Sequence, residues 1–487
     1  MSKQPVVIGA GPAGLTAGYE LLRKGVHPLI LEKEQRVGGI ARTEVYKGYR
    51  IDIGGHRFYT KVSEVDAIWH EILGPDFLLR PRLSRIYYQG KFYQYPLNLL
   101  NTLTNLGLWE SGLILLSYLR SQLWPHQQEH NFEEWVTNRF GRRLYKTFFQ
   151  TYTEKVWGIP CHTIQADWAA QRIKDLSFRS AVSNALFKSN NVKSLIEQFH
   201  YPRLGPGMMW ERMQQMIEAQ GGDVCLDTAV VRLGHENGRV HSLTLCQKGQ
   251  TRQVEVDQVI SSMPVSHLLL SLDPAPPETV LHAARSLKYR DFLIVGLIIN
   301  HPHLFPDNWV YIHSPQVKVG RIQNFKNWSA AMVPDPATTC LGMEYFCNET
   351  DPLWHMDDEA LVQMAAAELG QLNLANPALV VDGVVIRQRK AYPVYDEHYR
   401  QHVDTIQAYL DNFNNLQTVG RNGMHRYNNQ DHSMLTGLLA AKNVLGERHQ
   451  LWDVNTDRSY YEEMLVRPAA KTTLLRKPQS QHLIPIE

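Results

Sequence analysis

The sequence predicts an α/β protein in which a Rossmann-like dinucleotide-binding domain carries an inserted helical domain and a mainly antiparallel sheet that forms a substrate domain. Three observations predict this class. A glycine fingerprint follows the first apolar run of the chain, nucleotide-binding features recur in two later segments, and residues 290–390 alternate between apolar and polar side chains. Such alternation is typical of half-buried strands, and residues 357–372 within it have a helical pattern.

The fingerprint is a glycine-rich turn between two predicted strands. The apolar run Val6–Ile8 predicts a buried parallel strand, and it is followed by Gly9, Gly11 and Gly14 with the spacing G-x-G-x-x-G. In this motif the glycines permit a tight turn, close approach of the backbone to a pyrophosphate, and close packing of helix on strand. The next apolar run ends at Glu32, where a carboxylate accepts hydrogen bonds from a ribose. Strand, turn, helix and acid together predict a dinucleotide site.

Composition and charge exclude several functional classes. A chain of 487 residues has room for two or three domains, and its net charge of +2 gives no electrostatic reason to expect nucleic acid or an anionic membrane. The five cysteines are scattered without metal-ligand spacing, so neither a metal site nor a disulfide framework is predicted. The first strand begins too early for a signal peptide, which predicts a cytoplasmic protein.

One apolar stretch lies outside the nucleotide motif. Residues 106–119 are mostly apolar but contain Glu110, and the stretch is too short to span a bilayer. We predict a buried helix here, with a membrane-surface contact as the alternative.

The order of motifs along the chain predicts the domain boundaries. The dinucleotide-binding domain is expected to consist of residues 1–84, 201–264 and 410–450. The remaining units are expected to be a hairpin of the substrate sheet (85–95), the helical domain (96–200), the antiparallel substrate domain (265–409) and a C-terminal extension (451–487). FAD is long, and its isoalloxazine must be reached by elements remote in sequence, so this interleaving favours FAD over NAD. It predicts an FAD-binding domain of the glutathione-reductase type.

Several segments, taken in chain order, resemble the UDP-galactopyranose mutases, a family within the wider amine-oxidase and protoporphyrinogen-oxidase flavoprotein superfamily. Besides the fingerprint with Glu32, these segments are Gly38-Gly39, Gly54-Gly55-His56, Tyr95-Pro96-Leu97-Asn98, Tyr152-Thr153-Glu154-Lys155-Val156-Trp157-Gly158, Tyr201-Pro202 with Gly205 and Gly207, Gly420-Arg421, and Asn429-Gln430-Asp431-His432-Ser433-Met434. They follow the order in which the family carries them.

The resemblance implies FAD as the cofactor, active in its reduced form with NAD(P)H or another reductant as the electron source. The residues that it places at the cofactor are Gly9, Gly11, Ala13, Gly14, Glu32, Lys33, Gly39, Arg42, Gly54, Gly55, His56, Gly420, Arg421, Asn429, Asp431, Ser433 and Met434. The residues that it places at a nucleotide-sugar substrate are Tyr95, Asn98, Tyr152, Trp157, Tyr311, Tyr392 and Tyr427.

The implied activity is an isomerisation of the kind that serves cell-surface polysaccharide biosynthesis. In the family, N5 of the reduced flavin attacks the anomeric carbon of the sugar and expels the nucleoside diphosphate, and the ring then recloses through a different oxygen. By position, Arg172 and Arg321 are similar to the two family arginines that hold the diphosphate. Arginine suits this task because its planar fork binds phosphate through two parallel hydrogen bonds. His56 is expected to hydrogen-bond near the flavin N5.

The departures from the family pattern lie on the substrate side. Gly320 stands immediately before Arg321, where family members often carry a tyrosine, and residues 351–354 have no clear counterpart. Two alternatives therefore stay open. One is an FAD-dependent oxidoreductase of the amine-oxidase, protoporphyrinogen-oxidase or desaturase type, in which residues 106–119 line an apolar channel. The other is a non-catalytic dinucleotide-binding protein. Convergence of Arg172 and Arg321 on the flavin face would favour the mutase.

Overall fold

The computed structural model describes residues 4–95, 97, 99–166 and 198–455, with residues 99–100, 194–195 and 463–464 as backbone. Its α-helices are α1 (Pro12–Arg23), α2 (Ser63–Leu73), α3 (Leu99–Leu106), α4 (Leu108–Leu123), α5 (Phe132–Phe140), α6 (Arg142–Leu144), α7 (Thr151–Trp157), α8 (Gly207–Ala219), α9 (Val265–Leu270), α10 (Glu278–Ser286), α11 (Phe325–Trp328), α12 (Asp358–Gln371), α13 (Tyr399–Leu410) and α14 (Gln430–Val444). A π-helical stretch, Tyr145–Gln150, joins α6 to α7.

The strands form three larger sheets and three two-stranded pairs. In chain order they are β1 (Val6–Ile8), β2 (Leu29–Leu31), β3 (Thr43–Tyr46), β4 (Tyr49–Asp52), β5 (Phe77–Pro81), β6 (Ser84–Tyr88), β7 (Lys91–Gln94), β8 (Ser194–Leu195), β9 (Gln198–Pro202), β10 (Asp223–Cys225), β11 (Thr228–Glu236), β12 (Arg239–Gln247), β13 (Gln250–Glu255), β14 (Val259–Ser261), β15 (Leu272–Asp273), β16 (Tyr289–Ile299), β17 (Trp309–Ile312), β18 (Arg321–Asn324), β19 (Thr339–Cys347), β20 (Val380–Pro393), β21 (Leu416–Thr418) and β22 (Glu463–Met464).

The five-stranded parallel sheet is the dinucleotide-binding core. Its strand order is β10-β2-β1-β14-β21, so it draws on three segments that are far apart in the chain. Helix α1 follows the central strand and packs against α14. The two helices are so close that a side chain at Gly437 would overlap the carbonyl oxygen of Ala13. The C-terminal ends of β1 and β14, the N-terminus of α1 and the middle of α14 therefore lie in one region. The predicted α/β class is confirmed.

The seven-stranded sheet has the order β20-β16-β19-β18-β17-β6-β7 and is antiparallel except where β17 runs parallel to β6. One face packs on α12 through buried residues such as Leu361 and Leu369. The opposite face carries Phe292, Tyr311 and Tyr392 toward the rest of the molecule. This agrees with the mainly antiparallel sheet predicted from residues 290–390. A separate four-stranded sheet, β13-β12-β11-β15, packs beside the dinucleotide-binding core.

Helix α4 departs from the prediction of a buried helix. Ile114 and Ser121 are buried, but Leu108 is 95% exposed and Trp109 81% exposed. The helix packs on α3, α5 and α6 through its other side, where its backbone at Tyr118 lies against Gly141. The prediction was wrong because hydrophobicity alone does not determine which side of a helix finds a packing partner. None of the helices in the described part of the chain combines the length and apolar character of a membrane span.

A buried polar network joins strands β3, β4 and β9 to the start of α8. The Asp52 carboxylate accepts hydrogen bonds from the Thr43 hydroxyl at 2.8 Å and from the Tyr201 hydroxyl. Thr43 in turn accepts a hydrogen bond from the backbone N–H of Gly207 at 2.9 Å. Gly205 is required here, because a side chain at this position would overlap the Thr43 hydroxyl. Burial raises the pKa of Asp52 to about 7, although the two hydroxyl donors oppose the shift.

This raised pKa makes the stability of the protein depend on pH. Folding favours the protonated Asp52, so its contribution is fully present below the ordinary pKa of an aspartate and is lost as pH rises toward 7. We expect the free energy of unfolding to fall by about 2–3 kcal/mol between pH 5 and 8 through this group. Asp52→Asn should flatten that dependence in urea unfolding. Asp382→Asn, at a carboxylate that is 29% exposed and paired with Lys47, should retain it. Equal slopes for Asp52→Asn and the wild type would contradict the assignment.

Candidate active site

The fingerprint turn forms a cradle of backbone atoms at the end of β1. Gly9 has φ +96°, and a side chain at Gly14 would overlap the carbonyl oxygen of Gly9. Gly11 is the N-cap of α1 and makes no side-chain cap, so the first N–H groups of this helix face the turn. A helix N-terminus of this kind attracts phosphate through its free donors and its dipole. Ala13, in the first turn, is buried against Gly420.

Glu32 lies beside this turn at the end of β2. Its carboxylate accepts hydrogen bonds from the N–H of Ala10 at 2.7 Å and from the N–H of Glu34 at 3.0 Å. Burial raises the pKa of Glu32, and the two N–H donors partly offset that effect. The exposed side chain of Lys33 is ion-paired with Glu34 at 3.2 Å. The acid is therefore held next to the glycine turn, in the place that a ribose-binding carboxylate occupies in such folds.

The glycine pair after β2 approaches the fingerprint from the other side. The N–H of Gly38 donates to the carbonyl of Ala10 at 2.8 Å, and a side chain at Gly39 would lie 3.3 Å from the Cα of Gly11. Arg42 donates to Glu44 at 2.6 Å, to the carbonyl of Gly39 at 2.9 Å and to Gln388 at 3.1 Å. Its guanidinium is thus held between the dinucleotide-binding core and β20.

The third segment brings Gly420 against α1. Gly420 has φ +82°, and a side chain there would lie 3.1 Å from the Cβ of Ala13. Helix α14 begins at Asn429 with a capping box formed with His432. Asp431 and Ser433, in its first turn, are buried. Met434 is fully buried, and its sulfur accepts a hydrogen bond from the indole of Trp69 at 2.9 Å, so its side chain belongs to the core.

These residues fit an extended dinucleotide such as FAD. The glycine turns leave a cradle that side chains would fill, and Glu32 and the N-terminus of α1 lie beside it. One further atom supports the fit: the Oε1 of Gln430 is buried and has no hydrogen-bond partner among the described residues. Its Nε2 lies 3.5 Å from the carbonyl of His56. No cluster of His, Cys, Asp or Glu that could hold a metal ion is found where the structure describes side chains.

His56 and Arg321 both approach Gly54. Its Nδ1 is 3.1 Å from the carbonyl of Gly54, and a side chain at Gly54 would lie 3.8 Å both from an Nη of Arg321 and from the His56 ring. Burial, followed by the charges of Arg421 and Arg321, lowers the pKa of His56 to about 3. The imidazole is therefore neutral at physiological pH. It can donate or accept one hydrogen bond without adding charge.

Arg321 is a partly buried cation at the site. Its side chain is 17% exposed, and its Nε donates to the Glu344 carboxylate at 2.5 Å. Glu344 is fully buried and also accepts a hydrogen bond from Gln323 at 2.8 Å. Glu344 lies directly opposite Arg321 in the β18–β19 register. Because the carboxylate engages Nε, the guanidinium is oriented while an Nη group is left near Gly54 and His56.

Aromatic side chains surround this arginine in two groups. Tyr392 stacks on Tyr427 with ring centroids 5.7 Å apart, and Trp157 lies 6.2 Å from each. The guanidinium of Arg421 lies 4.7 Å from the centre of the Tyr427 ring and is held by the carbonyl of Asn428 at 2.9 Å.

In the second group, Tyr311 contacts Tyr95 at 4.7 Å and Tyr152 at 5.6 Å. Tyr95, Tyr311, Tyr392 and Tyr427 all pack against the core cluster that contains Trp157, so the two groups border one region.

The structure therefore brings most of the predicted site residues together, and it adds four that the sequence analysis missed. Glu344 and Gln323 hold Arg321, His313 stacks on Tyr152 at 4.7 Å, and the guanidinium of Arg82 lies 5.7 Å from the Tyr95 ring. The alternation of β19 places Glu344 on one face of its strand, but only the strand register pairs it with Arg321. Two predicted residues, Asn98 and Arg172, lie outside the described residues.

Comparisons with solved structures show the same overall fold. The chain is similar to a reduced UDP-galactopyranose mutase with a TM-score of 0.81 and 21% identity, covering 94% of this chain and all of that one. It is also similar to a putrescine oxidase bound to putrescine, with a TM-score of 0.60 and 18% identity over 92% of this chain and all of that one. At these identities the likenesses show the fold alone. The resemblance to the mutases is confirmed at that level.

Comparisons of sequence show the family. A curated relative that carries the name flavin-containing monoamine oxidase AofH, from Mycobacterium tuberculosis, is 25% identical over 293 residues, which is 56% of this chain. The chain spans 60% of the length of that relative. The family model described as flavin containing amine oxidoreductase matches residues 12–382, which is most of the chain. The chain therefore belongs to the flavin-containing amine oxidoreductase family.

Proposed function

We propose that this protein is an FAD-dependent isomerase that interconverts the pyranose and furanose forms of a nucleotide-diphosphate sugar. The observation that carries the proposal is the pair of arginines in a site otherwise lined by aromatic rings. Arg321 is oriented by Glu344 and keeps an Nη group near Gly54. Arg421 lies over the rings of Tyr392 and Tyr427. A departing diphosphate needs cations beside the flavin, whereas an apolar substrate has no use for them. When bound and reduced, FAD would supply the nucleophile for the anomeric carbon.

The residues of the chain would hold the leaving diphosphate. Arg321 is fixed by Glu344 through Nε, so it can present its remaining N–H groups to phosphate oxygens without losing its orientation. Burial raises the pKa of Tyr392 to about 12 and the pKa of Tyr152 well above its ordinary value. Both hydroxyls therefore stay protonated and can donate hydrogen bonds to the phosphates. The neutral His56 would orient the reacting end of the cofactor. Because it carries no charge, it would not draw the diphosphate away from Arg321.

The aromatic groups would bind the two ends of the substrate. Tyr392 lies near Arg421, and the buried Trp157 supports it through an edge contact at 6.2 Å. An aromatic surface of this kind binds the apolar face of a sugar ring and excludes water. Tyr95, with Arg82 near its ring, would stack against the nucleobase. This order places the sugar nearest the cofactor and the base farthest from it.

One observation favours a second candidate, an FAD-dependent amine oxidoreductase. Glu344 neutralises part of the charge of Arg321, so the net positive charge of the site is smaller than two guanidinium groups suggest. Against this candidate, the face of the Tyr427 ring that could attract an ammonium group is already covered by Arg421.

Turnover with defined substrates separates the candidates. We expect the holoenzyme, reduced anaerobically with dithionite, to convert UDP-galactopyranose or another nucleotide sugar between its pyranose and furanose forms. Chromatography of the nucleotide sugars measures the conversion. The oxidised enzyme is the control and should be inactive. If no nucleotide sugar in a broad panel binds or is converted, while a primary amine reduces the flavin and consumes oxygen, the oxidoreductase is correct instead.

A further inference from the structure

Helix α4 turns its apolar side toward solvent. With about 100° of rotation per residue, its exposed apolar side chains fall within an arc of about 120°. We call this surface the leucine stripe; its members are Leu108, Trp109, Leu115, Leu116, Leu119 and Leu123. Leu116 is 64% exposed and Leu123 is 70% exposed. An ordinary surface helix buries such a stripe and exposes its polar side.

The polar side of α4 faces the protein instead. Glu110 forms a two-bond ion pair with Arg143, at 2.6 and 2.7 Å, and the Ser117 hydroxyl accepts a hydrogen bond from the Arg143 N–H at 3.0 Å. Ser121 is buried. These contacts fix the rotation of the helix about its axis. The leucine stripe is therefore held outward by specific hydrogen bonds on the opposite side.

The charge of the exposed side suits an anionic lipid surface. Glu110 and Arg120 are the only charged residues between Leu108 and Leu123, and Glu110 is turned inward by its ion pair. Arg120 is exposed and, viewed along the helix axis, lies next to Trp109 at the edge of the leucine stripe. The exposed side thus carries one cation and no carboxylate. Tryptophans lie at both ends, and Trp124 is 74% exposed. Tryptophan concentrates at the boundary between lipid and water, where its ring is apolar and its N–H is hydrated.

The size of the stripe argues against a second copy of the chain as its occupant. A helix of 16 residues is about 24 Å long, and with a width of about 10 Å it covers on the order of 240 Å². A stable protein–protein interface buries roughly 800 Å² on each partner. A bilayer needs no such complementary area, because it accepts a narrow apolar stripe lying flat in the headgroup region.

We propose that α4 docks this protein on the surface of a lipid bilayer that contains anionic phospholipid. The helix lies parallel to the membrane, with the leucine stripe at the acyl boundary and Arg120 at the phosphates. Ile114, on the buried side of α4, packs in the same core cluster as Trp157. Docking therefore holds the helical layer beside the candidate active site close to the membrane. The proposal does not depend on which reaction that site catalyses.

Vesicle binding by the full-length holoenzyme tests the proposal. We expect the wild type to co-sediment with vesicles of phosphatidylcholine and phosphatidylglycerol, and more weakly with phosphatidylcholine alone. The double variant Leu116→Glu, Leu123→Glu should lose at least about tenfold in vesicle partitioning, because two charges enter the acyl boundary. The matched control, Leu270→Glu with Leu445→Glu, changes exposed leucines outside α4 and should bind as the wild type does.

A second variant guards against loss of folding in the first. Arg120→Glu keeps the leucine stripe intact and should weaken binding only to vesicles that contain phosphatidylglycerol. The proposal is overturned if the wild type stays in the supernatant with both vesicle types, or if the stripe variant pellets as the wild type does. It is also overturned if light scattering shows that the stripe holds two copies of the chain together and no vesicle binding accompanies this.

Discussion

A methyl group at Gly14 is expected to abolish flavin retention. In the folded protein the Cβ of an alanine would overlap the carbonyl oxygen of Gly9 and lie 3.2 Å from a methyl group of Val7. Since the nearest atom belongs to the backbone, no side-chain rotation relieves the overlap, and α1 must move away from β1. Overpacking commonly costs about 1–3 kcal/mol, and we expect Gly14→Ala to reach or exceed the upper end. Flavin absorbance of the purified protein and its melting temperature measure the two effects.

The chain offers a matched control for this variant. Gly112 lies in α4, where no atom would come within 4 Å of an added Cβ. Gly112→Ala should retain flavin and should stabilise the protein slightly, by up to about 1 kcal/mol, because alanine favours a helix. A Gly14→Ala protein that purifies with full flavin and an unchanged melting temperature would show that α1 does not need this close approach.

Removing the Arg321 guanidinium is expected to have the second large effect. If the protein has the proposed function, Arg321→Met should reduce nucleotide-sugar turnover by at least about 100-fold, since the proposed oriented charge pair with phosphate is lost. It should also cost about 3–5 kcal/mol of stability, because the fully buried Glu344 loses its partner. Arg321→Lys keeps a charge without the planar fork and should fall between Met and the wild type. Initial rates and urea unfolding provide the two readouts.

A double variant separates the two effects. Adding Glu344→Gln to Arg321→Met removes the unpaired buried charge, so most of the stability should return while activity stays low. Arg387→Met serves as the control for loss of an ion-paired arginine on the same sheet, since Arg387 pairs with Asp358 on the α12 side. It should leave turnover close to the wild-type rate. Recovery of turnover in the double variant would show that Arg321 acts only by neutralising Glu344.

Local signals in the sequence predicted the dinucleotide-binding core correctly. The glycine spacing, the apolar runs around it and Glu32 all lie in one short segment. Together they favour a single local structure, the strand-turn-helix-strand unit of a dinucleotide-binding fold. The alternation in residues 290–390 predicted the antiparallel sheet for the same reason. Residues 106–119 were different, because an apolar run is compatible with a core helix and with an exposed one. Only the packing of Tyr118 against Gly141 and the Glu110–Arg143 pair decided its rotation.

The sequence by itself determined the class of fold and the presence of a dinucleotide cradle, since both depend on periodicity and on glycines close together in the chain. Tertiary structure alone decided the chemistry of the candidate site. His56 and Arg321 meet at Gly54, and Arg421 reaches the Tyr392 ring, only because segments remote in the chain fold together. Arg321 meets Glu344 only through the register of two strands. Interactions of this kind depend on long-range contacts, and no residue spacing encodes them in isolation. The outward leucine stripe of α4 has the same origin.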